Sequence, residues 1–253
     1  MNFVTLFLVA FLLTGCGTAN VNSTSPTPAP APSSATTGVV SLNFDDGFES
    51  AYVHGLPIVE AAGFKTTQFI ITKRLGTLGY LTTGQVLAMQ NSGHEIAAHT
   101  RTHPNLSTLT AAQQQDEIVG SLMDLEAIGV MPTSFAYPYG GHNDTTLLIV
   151  QNAGFLSARA TVRGFNDASS NRLLLNGWIL GPQGINDLNR ITQAIDDAQT
   201  KGTWLILIFH RIDETGEATS IPHELLQQIV DHLVEKKTTV VTKREGLDIY
   251  GLK

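Results

Sequence analysis

Apolar, β-branched runs recur along this chain between stretches of helical spacing, and that alternation limits the architecture more than any other feature. The runs are VVSLNF (39–44), TTQFII (66–71), HEIAAH (94–99), WLILIF (204–209) and TTVVT (238–242). They read as strands of a parallel sheet buried on both faces. The stretches between them carry helix punctuation. Thr110 precedes a segment with Ile118, Leu122 and Leu125 at helical intervals, closing at Gly129, and Thr110 with Gln113 forms a capping box. Asp144 suits an N-cap for the segment ending at Gly154, Asp187 starts a helix that stops near Lys201-Gly202, and PHELLQQIVDHLVEK (222–236) is a further helix. Strand and helix thus alternate about six or seven times between Gly38 and the C-terminus. The expected fold is an α/β (β/α) barrel or a doubly wound sheet, and in both the ligand lies at the carboxyl ends of the strands.

The first 37 residues belong to a different class of sequence. Phe3 to Leu13 is an apolar run of signal-peptide length, too short to span a bilayer, and it leads into Leu13-Thr14-Gly15-Cys16. This resembles a bacterial lipobox, which implies cleavage before Cys16 and a diacylglycerol on its thiol. Met1-Asn2-Phe3 departs from the pattern in lacking Lys or Arg. Cys16 is the single cysteine, so no intrachain disulfide can form. Residues 18–38 are rich in Ser, Thr, Pro and Ala without a charge, a composition that cannot bury a core and reads as a semi-rigid spacer. The expected organisation is a signal peptide at 1–15, a lipidated cysteine with its linker at 16–37, and one catalytic domain at 38–253. The implied location is the bacterial cell envelope, with the exported chain anchored to a membrane by its lipid. A net charge of −7 without a Lys/Arg run argues against a nucleic-acid partner.

Chemistry-bearing residues gather where strands are expected to end. Asp45 and Asp46 directly follow the first run and precede Gly47. Two adjacent carboxylates repel each other unless they are solvated or share a cation. His99 and His103 follow the third run, four apart, a spacing that brings two imidazoles to one face of a helical turn. Together with one Asp they form a three-ligand set with positions left open for water and substrate, as catalytic sites have. Tyr137-Pro138-Tyr139-Gly140 forms a turn after a short strand, and His210 terminates the most apolar run.

The ordered set Phe44-Asp45-Asp46-Gly47, His99-Thr100-Arg101-Thr102-His103, Pro138-Tyr139-Gly140 and a strand ending in His210 resembles the polysaccharide deacetylases, carbohydrate esterase family four. The resemblance covers Gly38 to Leu252. It implies a distorted, seven-stranded (β/α) barrel holding one divalent metal ion, commonly zinc. By position, Asp46, His99 and His103 are the implied metal ligands, Asp45 the general base and His210 the general acid. Tyr139, behind Pro138, supplies a backbone N–H to the oxyanion, and Trp178 lines the pocket around the acetyl methyl. The implied partner is an acetylated polysaccharide or oligosaccharide, deacetylated at nitrogen. An O-acetyl xylan esterase and a non-catalytic carbohydrate-binding lipoprotein are the competing functions.

Two positions depart from the family. Many members carry an arginine where this chain has Ala136, and an acidic residue shortly before the tryptophan, where this chain reads Asn171-Arg172-Leu173-Leu174-Leu175-Asn176-Gly177. A subset of the family pairs a similar turn with an A-R-x-x-x-x-G-x-N stretch, matched by Ala158-Arg159 through Gly164 and Asn166. Arg159 is therefore expected to replace the missing guanidinium and pair with Asp45.

Overall fold

The computed structural model describes residues 37–252. The leader, Cys16 and almost all of the spacer lie outside the described residues. Seven parallel strands form a curled half-barrel in a single α/β domain. In chain order the elements are β1 (Val39–Phe44), α1 (Leu56–Ala61), β2 (Thr67–Ile70), α2 (Thr83–Asn91), β3 (Glu95–Ala98), α3 (Ala111–Glu126), β4 (Ser134–Ala136), α4 (Asp144–Asn152), β5 (Ser157–Arg159), β6 (Trp178–Ile179), α5 (Leu188–Lys201), β7 (Trp204–Phe209), β8 (Arg211–Ile212), β9 (Ser220–Ile221), α6 (His223–Glu235), β10 (Thr239–Val240) and α7 (Lys243–Ile249).

The sheet runs β5-β4-β3-β2-β1-β7-β6, with β10 added along the start of β1. Its longest seam joins β1 to β7, in register from Val39 opposite Trp204 to Phe44 opposite Phe209. That register brings Asp45 and His210, each the next residue after its strand, to the same rim. The sheet order ends at β5 and β6 without joining them. Beside β5 the chain instead lays down a parallel bridge from Arg159 to Leu175.

Strand alternation divides the apolar residues into two layers. Val40, Leu42 and Phe44 pack outward with Leu205, Leu207 and Phe209 against Ile191, Ile195, Ile229 and Leu233 of α5 and α6. The opposite layer joins Val39, Trp204, Ile206 and Ile208 with Leu247 of α7. Beyond β2, a second covering layer sets Ile70, Ile96 and Phe135 against Val86, Ile118 and Val150 of α2, α3 and α4. The strands are continuous apolar runs because both of their faces are covered.

The capping box of Thr110 and Gln113 is present. The start of α4 differs from expectation. Asn143 is the N-cap, accepting from Thr146 N–H, while Asp144 occupies the first helical turn. Both are good caps, and the one residue of difference follows from Thr146, whose hydroxyl returns to the Asn143 N–H and completes the box. No helix among the described residues is long and apolar enough to cross a membrane.

Candidate active site

The rim of the half-barrel is built from residues immediately beyond the strands. Asp45 and Asp46 follow β1, His99 follows β3, the Tyr137–Gly140 turn follows β4, and His210 follows β7. They line one pocket of about 430 Å³, joined by Ile71, Arg74, Tyr80, Thr161, Ile179 and Gln183.

Asp46, His99 and His103 converge. Asp46 Oδ1 lies 3.4 Å from His99 Nε2 and 3.3 Å from His103 Nε2, and the two Nε2 atoms are 3.2 Å apart. These three edges match three corners of a tetrahedron around an ion with bonds of roughly 2.0 Å, the length of zinc–imidazole and zinc–carboxylate bonds. Asp46 Oδ1 is buried without a hydrogen-bond partner, an arrangement that a cation would relieve. His99 Nδ1 donates to the Ala136 carbonyl at 2.8 Å, which leaves the Nε2 lone pair facing Asp46 and His103. The donor set therefore fits a divalent cation. Among the described residues it is the one cluster of three such groups.

The spacing of the two histidines works by a route the sequence reading did not anticipate. His99 to His103 is a loop rather than a helical turn. Thr100 and His103 both take left-handed backbone, with φ of 65° and 70°, and the Thr100 hydroxyl accepts from His103 N–H. Helix α3 holds this loop from outside. Glu117 accepts from the backbone N–H groups of Arg101 and Thr102, both at 2.9 Å, and from the Thr102 hydroxyl at 2.6 Å. Asp124 accepts from Arg101 Nε and from the Thr72 hydroxyl. The clue in the sequence was a carboxylate on the buried stripe of α3, where Gln114, Glu117, Ile118, Ser121 and Leu125 share one face.

Asp45 Oδ2 and Asp46 Oδ1 both approach His99 Nε2, at 4.0 and 3.4 Å, and Asp46 leaves the strand in left-handed backbone with a φ of 73°. Asp45 is buried beneath the rim. Arg159 Nη2 donates to both of its carboxylate oxygens, at 2.7 and 2.6 Å. Arg159 is fully buried, stacks on Phe69 and donates through Nη1 to the Ala160 carbonyl. It enters from the end of β5, two strands beyond β3, whereas Ala136 ends β4.

Charge in the cluster is strongly coupled. Burial alone would raise the Asp46 carboxyl, but contact with His99 and the charges of His99, His210 and His103 bring it down to about 2. Burial opposes protonation of His99, and the two aspartates outweigh it, so His99 is raised. Burial and the His99 charge lower His103 to about 4. His210 is lowered by burial against the pull of Asp45 and Asp46, and its Nδ1 has no hydrogen-bond partner. The unpartnered nitrogen is the structural counterpart of the sequence lacking an acid ahead of Trp178.

Tyr139 sits at φ 58° with its ring 4.7 Å from that of His103, and it is 69% exposed at the pocket mouth. Pro138, buried, opens this turn. Trp178 is a correction to the sequence reading, since it does not line this pocket. Its indole packs against Phe165 and donates to the Gly164 carbonyl, next to a separate surface hollow lined by α5. Because side chains alternate along β6, the following residue, Ile179, is the one that reaches the pocket. His142 bonds the Gly140 carbonyl, and His94 is a buried structural link from Thr66 to Glu60. Arg74, Tyr80, Thr161 and Gln183 were missed, because they lie in irregular segments with no motif around them.

Residues 33–158 match the family model for polysaccharide deacetylase. A chitin deacetylase from Pestalotiopsis sp is 29% identical over 162 residues, 61% of this chain and 53% of that protein. The solved structure of the Streptococcus pyogenes deacetylase PplD in complex with acetate is 31% identical, with a TM-score of 0.53 over 55% of this chain and 62% of its own. The Xyl-CE4 domain of a multidomain xylanase from the hindgut metagenome of Trinervitermes trinervoides shares the fold, with a TM-score of 0.61 at 22% identity, over 85% of this chain and 92% of that domain. The chain spans about half the length of the first curated relatives it matches, or less.

Proposed function

We propose, from this rim and the match to polysaccharide deacetylases, that the chain hydrolyses N-acetyl groups on an N-acetylglucosamine-containing polysaccharide and releases acetate. The observation that carries the reading is the convergence of Asp46, His99 and His103 beside the Asp45–Arg159 pair. Similarity to a chitin deacetylase supports an amide substrate.

In this reading Asp46, His99 and His103 hold one divalent ion, zinc by the match of their spacing. When bound, such an ion supplies Lewis acidity toward the acetyl carbonyl and lowers the pKa of water. The chain's own groups do the remaining work. Asp45 takes a proton from the attacking water, with Arg159 holding both of its oxygens so that the carboxylate keeps one orientation. Water oxygen bonds to the carbonyl carbon, and the Tyr139 backbone N–H faces the oxygen that gains charge. His210 then gives its proton to the sugar nitrogen as the C–N bond breaks, leaving acetate and a free amine. Burial lowers His210, which makes its protonated ring the stronger donor while making that form less populated.

In the same reading the apolar leader directs export of the domain across the cytoplasmic membrane. Cys16 carries the lipid, and residues 16–37 let the half-barrel reach a polymer in the envelope. Acetate release from N-acetylchitooligosaccharides and from acetylxylan, each with and without a chelator, tests the function. Release from the amide substrate that chelation abolishes and zinc restores is expected. Release from acetylxylan alone would make the chain an O-acetyl esterase, and binding without any acetate would make it a carbohydrate-binding module.

A further inference from the structure

Around the pocket the cations are paired, with one exception. Arg159 is taken by Asp45, Arg101 by Asp116 and Asp124, and Lys73 lies 3.5 Å from Asp124. Arg211 lies 3.1 Å from Glu217. Arg74 also lines the pocket and is exposed, and among the described residues it has no carboxylate within salt-bridge distance. In a chain with 15 basic and 22 acidic residues, a lone guanidinium in the wall of the candidate active site calls for an explanation.

Its position is built rather than loose. Arg74 caps the Tyr80 ring at 5.5 Å, Tyr80 stacks on Phe48 at 5.0 Å, and Arg211 covers Phe48 at 4.0 Å. Backbone bonds from Leu81 N–H to the Gly47 carbonyl and from Glu49 N–H to the Gly79 carbonyl fix this stack to the segment that carries Asp45 and Asp46. Arg74 itself sits in a short turn after β2, its N–H bonded to the Ile71 carbonyl and its carbonyl accepting from Thr77 N–H. The stack has a cation at each end. One end is neutralised within the protein, and the other opens onto the pocket.

We propose that Arg74 is a specificity residue that binds a carboxylate on the polymer, so that the preferred substrate is an acidic acetylated polysaccharide. This rests on the deacetylase reading and narrows its substrate class. The planar fork of a guanidinium matches a carboxylate through paired N–H donors. Tyr80, held between Phe48 and the guanidinium, fixes the plane of the fork at the pocket wall. One guanidinium balances one carboxylate, while the second charge of a phosphomonoester would call for a further cation, and Arg211 is already occupied by Glu217. The carboxylate has two possible chemical sources, the C6 acid of a uronate and the lactyl ether of an amino sugar.

The test uses the zinc-loaded protein on two acetylated substrates, an N-acetylglucosamine–uronate copolymer and a glycan with lactyl-ether amino sugars. Each is paired with its carboxyl-reduced counterpart, and kcat/KM for acetate release is measured for all four. The wild type is expected to favour at least one carboxylated form by roughly five- to tenfold, mainly through KM, as fits one rim-exposed charge-assisted contact. That ratio shrinks with added salt. Arg74→Gln brings the ratio close to one, and Arg74→Lys retains part of it. The arm with the larger ratio identifies the source of the carboxylate. Equal efficiency on carboxylated and reduced forms in both arms, or a ratio unmoved in Arg74→Gln, overturns the assignment while leaving the deacetylase reading intact. Acetate from none of the four, nor from N-acetylchitooligosaccharides, overturns both.

Discussion

Replacing Arg159 by methionine isolates the least expected feature of the site, a fully buried guanidinium holding a buried carboxylate. Arg159→Met preserves most of the side-chain volume against Phe69 but leaves Asp45, only 3% exposed, without its partner. An uncompensated buried charge of this kind costs about 3–5 kcal/mol, whereas removing both members of a pair is close to neutral. Asp45→Asn alone, which strands the guanidinium instead, is expected to cost a similar amount. The double variant is expected to lose only about 1–2 kcal/mol, which makes the coupling in the cycle several kcal/mol. Urea denaturation in chelator measures this without a contribution from bound metal, with the four proteins compared at equal m-values. In parallel, Arg159→Met is expected to lower kcat by about 10–100-fold with little change in KM, because the group acts on substrate only through Asp45. Additive stabilities, with turnover within twofold of wild type, would refute the claim that the two residues work as one unit.

Other outcomes follow from groups outside the cluster. Glu117→Ala removes the acceptor of two backbone N–H groups and of the Thr102 hydroxyl, so zinc affinity is expected to fall about 10–100-fold by calorimetry while the far-ultraviolet circular dichroism is unchanged. Unchanged affinity would mean that the His99–His103 loop holds its shape without α3. Lys243 is fully buried with Nζ on the Ser157 hydroxyl, and burial lowers it to about 7 from 10.5. Between those two values the unfolded chain holds a proton that the folded chain does not. Stability therefore rises with pH by about 1.4 kcal/mol per unit across that window, and the full cost of the buried ammonium is felt below pH 7. Lys243→Met is expected to remove this slope, and identical slopes in urea titrations at pH 7, 8 and 9 would refute it.

The strands and the rim were legible because two independent patterns coincide in this sequence. Apolar runs such as Trp204–Phe209 announce burial on both faces, and a titratable residue directly after such a run is exposed to a different environment from the run itself. Asp45, Asp46, His99 and His210 were all found by that contrast. Arg159 could be suspected only from the family pattern, through the guanidinium that Ala136 lacks and the stretch from Ala158-Arg159 to Asn166, since a three-residue strand such as β5 gives almost no periodic signal. Trp178 misled for the opposite reason. Its position in the family pattern was used, but β6 has only two residues, and a one-residue difference in register sends a side chain to the other face. Arg74 and Tyr80 were invisible because their neighbours in space, Phe48 and Arg211, are far away in sequence. The curl of the sheet and its open ends at β5 and β6 are equally tertiary, set by how short edge strands pack rather than by any local run.

The left-handed backbone at Asp46, Thr100, His103 and Tyr139 also limits how this sequence can drift. Glycine is the usual remedy for a positive φ, and it would ease the backbone at each of these positions. At Asp46 and His103 the same change deletes a member of the candidate metal-binding cluster, and at Tyr139 it deletes the ring packed on His103. Thr100 alone could accept glycine without losing a pocket side chain, yet its hydroxyl holds the His103 N–H. Stability and chemistry pull these four codons in opposite directions. A lineage that gave up the reaction would be expected to show it here first, as glycine and asparagine entering the rim while the half-barrel below stayed the same.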